Sequence, residues 1–179
     1  MTRNVLVTGA GGFVGRHVVR ELLSRGQVVS FTERPSHPVV VDGEGAHCRR
    51  LQTNDLFAES LEWWTQACAG IDTVIHLAWY TVPGRYQRAT ENLACVEGTL
   101  RLARGAAQAG VSRFVGIGTC AEYDVDQCLL SIDTPLRPHT LYGSAKAASF
   151  LLLSALFAEL GVSFAWCRLF YLYGAGEHE

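Results

Sequence analysis

The chain has 179 residues, of which 49% are hydrophobic and 18% charged, with a formal net charge of -2. That length supports one domain with a real core rather than two, and the composition excludes a disordered tail or a coiled coil. The 15 Lys and Arg are scattered rather than massed, so no basic field points to nucleic acid or to an anionic membrane.

Val5-Leu6-Val7 predicts a first buried strand. Phe13–Ser24 follows, with Val14, Val18, Val19, Leu22 and Leu23 at helical spacing, and Gly26 stops that helix. Residues 28–31 form a second strand, and Pro35 and Pro38 break the pattern behind it. A weaker run at 48–51 reads as a third strand, and residues 56–68 as a helix ending near Gly70. Residues 73–77 are a clear buried strand, followed by a loop with the turn signal Pro83-Gly84. Residues 89–109 form a long helix closed by Gly110, and residues 114–117 a fifth strand. A polar loop leads to the helix Leu141–Leu160, which Gly161 ends, and residues 162–169 are the last strand. This alternation predicts an α/β fold: a doubly wound parallel sheet with helices on both faces, over residues 1–179 as one domain.

The six cysteines show no C-x-x-C spacing and no histidine pair stands at ligand spacing, so no metal site is expected and the thiols read as buried in a reducing compartment. Met1-Thr2-Arg3-Asn4 runs straight into the first strand without the apolar region of a signal peptide. The most apolar stretch, residues 147–160, falls short of the ~20 residues of a membrane span. The expectation is a soluble, cytoplasmic protein with no membrane or nucleic-acid partner.

The first strand meets the first helix at Thr8-Gly9-Ala10-Gly11-Gly12-Phe13-Val14-Gly15. A strand feeding a helix N-terminus offers free backbone N–H groups and a positive dipole end. Glycines there let a pyrophosphate approach the backbone, so this turn predicts a dinucleotide site. Glu33, at the end of the second strand, would accept the adenosine ribose hydroxyls and favour NAD, although Arg34 beside it could hold the 2′-phosphate of NADP. Tyr142 and Lys146 stand at i and i+4 on one helical face. An adjacent ammonium favours the phenolate, which would turn a poor base into a useful one. Thr119 ends the fifth strand, where ligands collect in a parallel sheet, and its hydroxyl could orient a substrate oxygen. Cys120 has no histidine to activate it and reads as pocket lining.

Together these elements resemble the extended short-chain dehydrogenase/reductase family, in its NAD-dependent epimerase/dehydratase branch acting on nucleotide sugars. Thr8-Gly9-x-x-Gly12-x-x-Gly15 is similar to that branch's cofactor turn, and Asn54-Asp55-Leu56 to the segment whose Asp55 would contact adenine. His76-Leu77-Ala78-Trp79 resembles its H-L-A-A strand end beside the cofactor, and Asn92 with Gly98-Thr99 and Leu102 its N-x-x-G-T-x-x-L pattern, displaced in register. Pro135 and Pro138 resemble its P-x-x-P segment, and Arg168 with Tyr173-Gly174-Ala175-Gly176 its R-x-x-x-x-Y-G-P-G segment.

The resemblance implies Tyr142 as acid/base, Lys146 as the nicotinamide-ribose ligand that lowers the tyrosine pKa, and Thr119 as the substrate-orienting hydroxyl. It implies a cofactor site of Gly9, Gly11, Gly12, Phe13, Val14, Gly15, Glu33, Arg34, Asp55, Leu56, Leu77, Ala78, Trp79 and Lys146, binding NAD with NADP as the alternative. Trp79, Tyr80, Thr81, Cys120, Ala121, Glu122, Tyr142 and Tyr171 would line the substrate side. Family dehydratases carry Asp-Glu after the threonine, where this chain has Cys120-Ala121. Neither residue can do that acid–base work, so an epimerase or ketoreductase is expected and a dehydratase is not. Members of the branch continue well beyond the position of Glu179, so the chain reads as a cofactor-binding lobe without its C-terminal substrate lobe. The competing function is a non-catalytic dinucleotide-binding module or inactive fragment. The apolar helices at 89–109 and 141–160 imply a homodimer built on a four-helix bundle.

Overall fold

A computed structural model describes residues 2–40, 48–126 and 129–176; Cys128 and Glu179 of the sequence reading lie outside them. The strands are β1 (Asn4–Thr8), β2 (Val28–Glu33), β3 (Cys48–Gln52), β4 (Thr73–His76), β5 (Arg113–Thr119) and β6 (Ser163–Leu169). The helices are α1 (Phe13–Ser24), α2 (Leu61–Ala67), α3 (Glu91–Gln108) and α4 (Leu141–Leu160), with a 3-10 turn at Cys120–Glu122. The pairings between these strands are parallel, in the order β3-β2-β1-β4-β5-β6. This is the doubly wound α/β arrangement predicted from the alternation.

The two faces follow from the period of two along each strand. Val5 and Val7 of β1 point to one face, where they pack with Val19 of α1 and with Val29 and Phe31 of β2. Leu6, between them, points to the other face, into a larger core with Trp64 of α2, Leu102 of α3, Phe114 of β5 and Leu153 and Phe157 of α4. Strand order reverses between β1 and β4, so α1 leaves on one face and α3 on the other, and a crevice opens at the strands' carboxyl ends.

Three expectations are corrected. The helix predicted over 56–68 starts only at Leu61. The Asp55 carboxylate accepts from Phe57 N at 3.0 Å, which bends residues 55–58 into a turn, and Ser60 Oγ then caps α2 by accepting from Trp63 N at 3.1 Å. By length and composition α4 is long and apolar enough to cross a membrane, longer than the apolar stretch of residues 147–160 alone. In this fold Ser149, Leu153 and Phe157 bury one side of it, while Leu151 and Leu152 stand on the other. Burial of the thiols holds for Cys68 and Cys95, whereas Cys167 is exposed on β6.

The turn into α1 shows why glycine stands where it does. Gly9 has φ +74, and a Cβ there would lie 2.7 Å from Ala78 N beyond β4. At Gly15 a Cβ would meet Gly9 O at 2.0 Å and Ala10 Cα at 2.8 Å. Gly15→Ala therefore forces backbone apart, and we expect a loss of about 1–3 kcal/mol, read from urea unfolding followed by circular dichroism. An unchanged midpoint would overturn the tight seating of α1 on β1.

Candidate active site

Two cavities meet over the glycine turn. The first, about 460 Å³, is walled by Gly11, Glu33, Arg34, Leu56 and Ala78. The second, about 590 Å³, is walled by Phe13, Val14, Gly15, Thr119, Tyr142 and Lys146. Gly9, Gly12, Leu77, Trp79 and Thr81 belong to both. No side chain caps α1 at Gly12, so the opening N–H groups of that helix are available to a ligand at the junction. Thr32, buried on the wall of the first cavity, has a hydroxyl with no hydrogen-bond partner among the described residues. An uncapped helix end between two chambers, with an unpaired hydroxyl in one, fits an extended dinucleotide.

The carboxyl ends of β1 and β4 are tied by a buried polar chain. Thr8 Oγ1 accepts from Ala78 N at 3.3 Å and lies 2.7 Å from His76 Nδ1. His76 Nε2 lies 2.8 Å from Thr99 Oγ1 of α3. Burial pushes the His76 pKa down to about 3, with the Lys146 charge adding to the effect, so the ring is neutral.

Glu33 sits on the wall of the first cavity with Oε2 already engaged, accepting from Val39 N at 2.9 Å and pairing with Arg50 at 2.5 Å. Asp55 does not line either cavity among the described residues; its exposed carboxylate forms the turn to Phe57. Its neighbours Thr53, Leu56 and Phe57 line the wall of the first cavity.

The reacting end is built by α4. Thr140 Oγ1 accepts from Gly143 N at 3.1 Å, so the helix starts at Leu141 and presents Tyr142 in its first turn and Lys146 one turn later. Gly143 lets this turn press against the chain after β5, since a Cβ there would lie 2.4 Å from Ala121 O. Tyr142 thereby shares the cavity wall with Thr119, whose hydroxyl favours the phenolate. Tyr142 N donates to Gln87 O at 3.1 Å, and the Tyr86 ring stands edge-on 4.9 Å away. Tyr86 and Gln87 line the second cavity. The sequence offers a Pro-Gly turn signal there, with an aromatic residue in the loop behind it.

The electrostatics correct one expectation. Burial pushes the Tyr142 pKa up to about 12, with the Thr119 hydroxyl acting the other way. The lysine does not offset that rise, because its Nζ turns to Ile117 O at 2.7 Å and to the Trp79 ring, 3.8 Å from the centroid. Burial pushes Lys146 itself down to about 7, against the opposing pull of Glu122. Thr119 also accepts from Ala121 N at 3.2 Å, so it caps the 3-10 turn while facing the cleft.

Thr81, Cys120, Ala121 and the exposed Tyr171 line the second cavity as expected for the substrate side. Tyr80 and Glu122 are not among its lining residues. Glu122 is fully buried, accepting from Thr119 N at 2.8 Å, Trp166 Nε1 at 3.0 Å and Arg168 Nε at 2.7 Å. The assignment of Glu122 to the substrate is therefore corrected: its carboxylate is a structural hub tying β5 to β6. Away from the cleft, the fold brings Asp124, Asp126 and His139 ligand atoms within 4.8 Å of one another. Asp124 is already paired with Arg137 at 3.6 Å, and the sequence spacing gave no hint of this cluster.

With this geometry in place, the comparisons agree with one another. The model of the NAD-dependent epimerase/dehydratase family matches residues 5–179. The dTDP-6-deoxy-L-talose 4-dehydrogenase (NAD(+)) of Aggregatibacter actinomycetemcomitans is 29% identical over 179 residues, covering 96% of this chain and 62% of that protein. The dTDP-glucose 4,6-dehydratase of Streptomyces griseus is 28% identical over 97% of this chain and 56% of its own length. The solved structure of MoeE5 in complex with UDP-glucuronic acid and NAD matches with a TM-score of 0.81 and 32% identity, over 98% of this chain and 57% of that one. The chain thus spans less than two thirds of each of these relatives.

Lys146 sets a pH window of stability. Its folded pKa of about 7 lies below the ordinary 10.5. Between those values the unfolded chain holds this proton and the folded chain releases it, so the Lys146 contribution to stability climbs as pH rises through this window, by about 1 kcal/mol per pH unit. Lys146→Met should remove that slope and stabilise the fold at neutral pH by about 3 kcal/mol. Urea unfolding of both proteins from neutral pH upward checks this, and parallel pH curves would count against it.

Proposed function

The chain belongs to the NAD-dependent epimerase/dehydratase family, and on that footing we propose that it binds NAD and moves a hydride at a hydroxyl-bearing carbon of a nucleotide-linked sugar, as an epimerase or ketoreductase. One observation carries this reading: Tyr142, Thr119 and Lys146 share a single cavity with the uncapped end of α1. The named activities of the curated relatives and the UDP-glucuronic acid and NAD in the MoeE5 complex support the substrate and cofactor class.

In this reading Gly11, Gly12 and the first N–H groups of α1 hold the pyrophosphate. Glu33 and Arg34 border the adenosine ribose and Lys146 the ribose of the nicotinamide half. When bound, the nicotinamide ring supplies or accepts the hydride. Tyr142 is protonated at neutral pH, its pKa being about 12, so its Oη is set to give a proton to an oxygen that develops negative charge. In the oxidising direction the same oxygen must take the proton, and that direction gains as pH rises. Thr119 holds the reacting oxygen beside the phenol. Dehydration would require a further acid–base pair; Cys120 and Ala121 cannot supply one and Glu122 is committed to Arg168 and Trp166. We also propose a homodimer through α3 and α4, whose Leu93, Leu151, Leu152 and Leu160 are each at least half exposed.

Tyr142→Phe should lower turnover about 10²–10⁴-fold while leaving NAD affinity within about twofold, as the ring stays and only the hydroxyl goes. The assay follows NADH absorbance with dTDP- and UDP-linked hexoses and their 4-keto forms, and affinity is read by calorimetry. Tight NAD binding with no Tyr142-dependent turnover would leave only a binding module.

A further inference from the structure

Lys146 is the only lysine in the sequence, all other Lys+Arg positions being arginine. It is also 3% exposed. A buried ammonium needs either a carboxylate or several acceptors, because desolvation otherwise expels its proton. Among the described residues no carboxylate pairs with it, and one carbonyl, Ile117 O, accepts from it. The groups facing it are few. Glu122, in the turn after β5, attracts it from behind Thr119 N, Trp166 Nε1 and Arg168 Nε. Cys95 of α3 and the neutral His76 of β4 lie within its field, and Tyr142 precedes it on α4. The Trp166 ring is 5.9 Å away. Its nearest aromatic support is the Trp79 indole, whose centroid is 3.8 Å from Nζ.

That indole is itself held in place. Trp79 Nε1 donates to Asn92 Oδ1 at 2.8 Å, and Asn92 Nδ2 donates to Tyr86 O at 2.6 Å and Ala89 O at 2.8 Å. The Phe57 ring meets it edge-on at 6.3 Å and Tyr142 at 6.5 Å. Asn92 is fully buried, and it stands six residues before Gly98 rather than three; Cys95 occupies the nearer place. The indole and the asparagine that fixes it are thus a matched pair at the junction of the two cavities.

We propose that Trp79 is the positioning residue for Lys146: its indole face, locked by Asn92, holds at the wall of the reacting cavity an ammonium that pairs with no carboxylate among the described residues. The face of the ring attracts the charged form only. The consequence for hydride transfer rests on the function proposed above, but the support of the ammonium does not.

The 179-residue chain labelled with carbon-13 at the lysine ε position gives one lysine signal to follow by NMR. In the wild type the ε-methylene protons should be displaced upfield by the ring current of Trp79. Trp79→Leu keeps an apolar wall without the aromatic face, and the Lys146 titration midpoint should fall by about one pH unit, tenfold in the ionisation constant. Trp79→Phe should fall by less, because a weaker aromatic face remains. Unshifted ε-protons in the wild type, or a midpoint that stays or rises in a folded Trp79→Leu, would overturn the proposal. Should Trp79→Leu not fold, the wild-type ring-current shift and the Trp79→Phe midpoint decide it. Loss of the Tyr142-dependent turnover with these NMR results intact would sink the enzymatic reading and leave this one standing.

Discussion

A positive charge buried with no matching carboxylate among the described residues is the constraint around which the cleft is arranged. Placing Lys146 there works against folding, since an isolated ammonium strongly prefers water. The surrounding elements each reduce that penalty by one contact. The end of β5 offers the Ile117 carbonyl, the segment after β4 offers the Trp79 face, and Glu122 attracts from behind while staying hydrogen-bonded elsewhere. The same crowding that lowers the lysine pKa raises that of Tyr142. Both groups are pushed toward their neutral forms, so the cleft keeps a proton on the phenol and holds one loosely on the amine.

Much of the frame was legible because it obeys short-range rules. The bounds of α1 and α4 follow from a glycine turn, a threonine cap and terminal glycines, all local signals. The parallel order follows from alternation and handedness. The start of α2 was not legible from periodicity, because Leu56 and Phe57 continue the apolar pattern while Asp55 bends the backbone away from a helix. A side chain bonding its own backbone outweighs apolar spacing over so few residues.

The site was legible as a set of positions and less so as a set of roles. The glycine turn, Thr119, Tyr142 and Lys146 do share a cleft, because each sits at an element's end and the topology gathers such ends. Roles that depend on where a charge points were not legible. Glu33 and Glu122 both read as ligand groups; the first stays on the cavity wall while pairing with Arg50, and the second is buried against Arg168. In each case the partner lies on a neighbouring strand, 17 and 46 residues away in sequence, beyond the reach of any spacing rule. The lysine's effect on the tyrosine failed for a related reason: i and i+4 share a helical face, but a long side chain can still turn its charge elsewhere.

The departures from the family pattern fall at one end of the cleft. The glycine turn is intact, and so is the helix end it feeds. Trp79, Asn92 and Cys95 differ together, and Cys120 and Ala121 replace an acidic pair. A site that evolves a different reaction on one cofactor should change in this way, since the cofactor's pyrophosphate asks the same of every member while the reacting group does not. The indole at position 79 spans both cavities, so its bulk acts on the ribose side and the substrate side at once. On the function proposed above, a reacting end without that acidic pair relies on the phenol of Tyr142 for its proton. A cleft lined in this way among the described residues suits, on that proposal, hydride transfer with a single proton rather than the removal of a second proton from carbon.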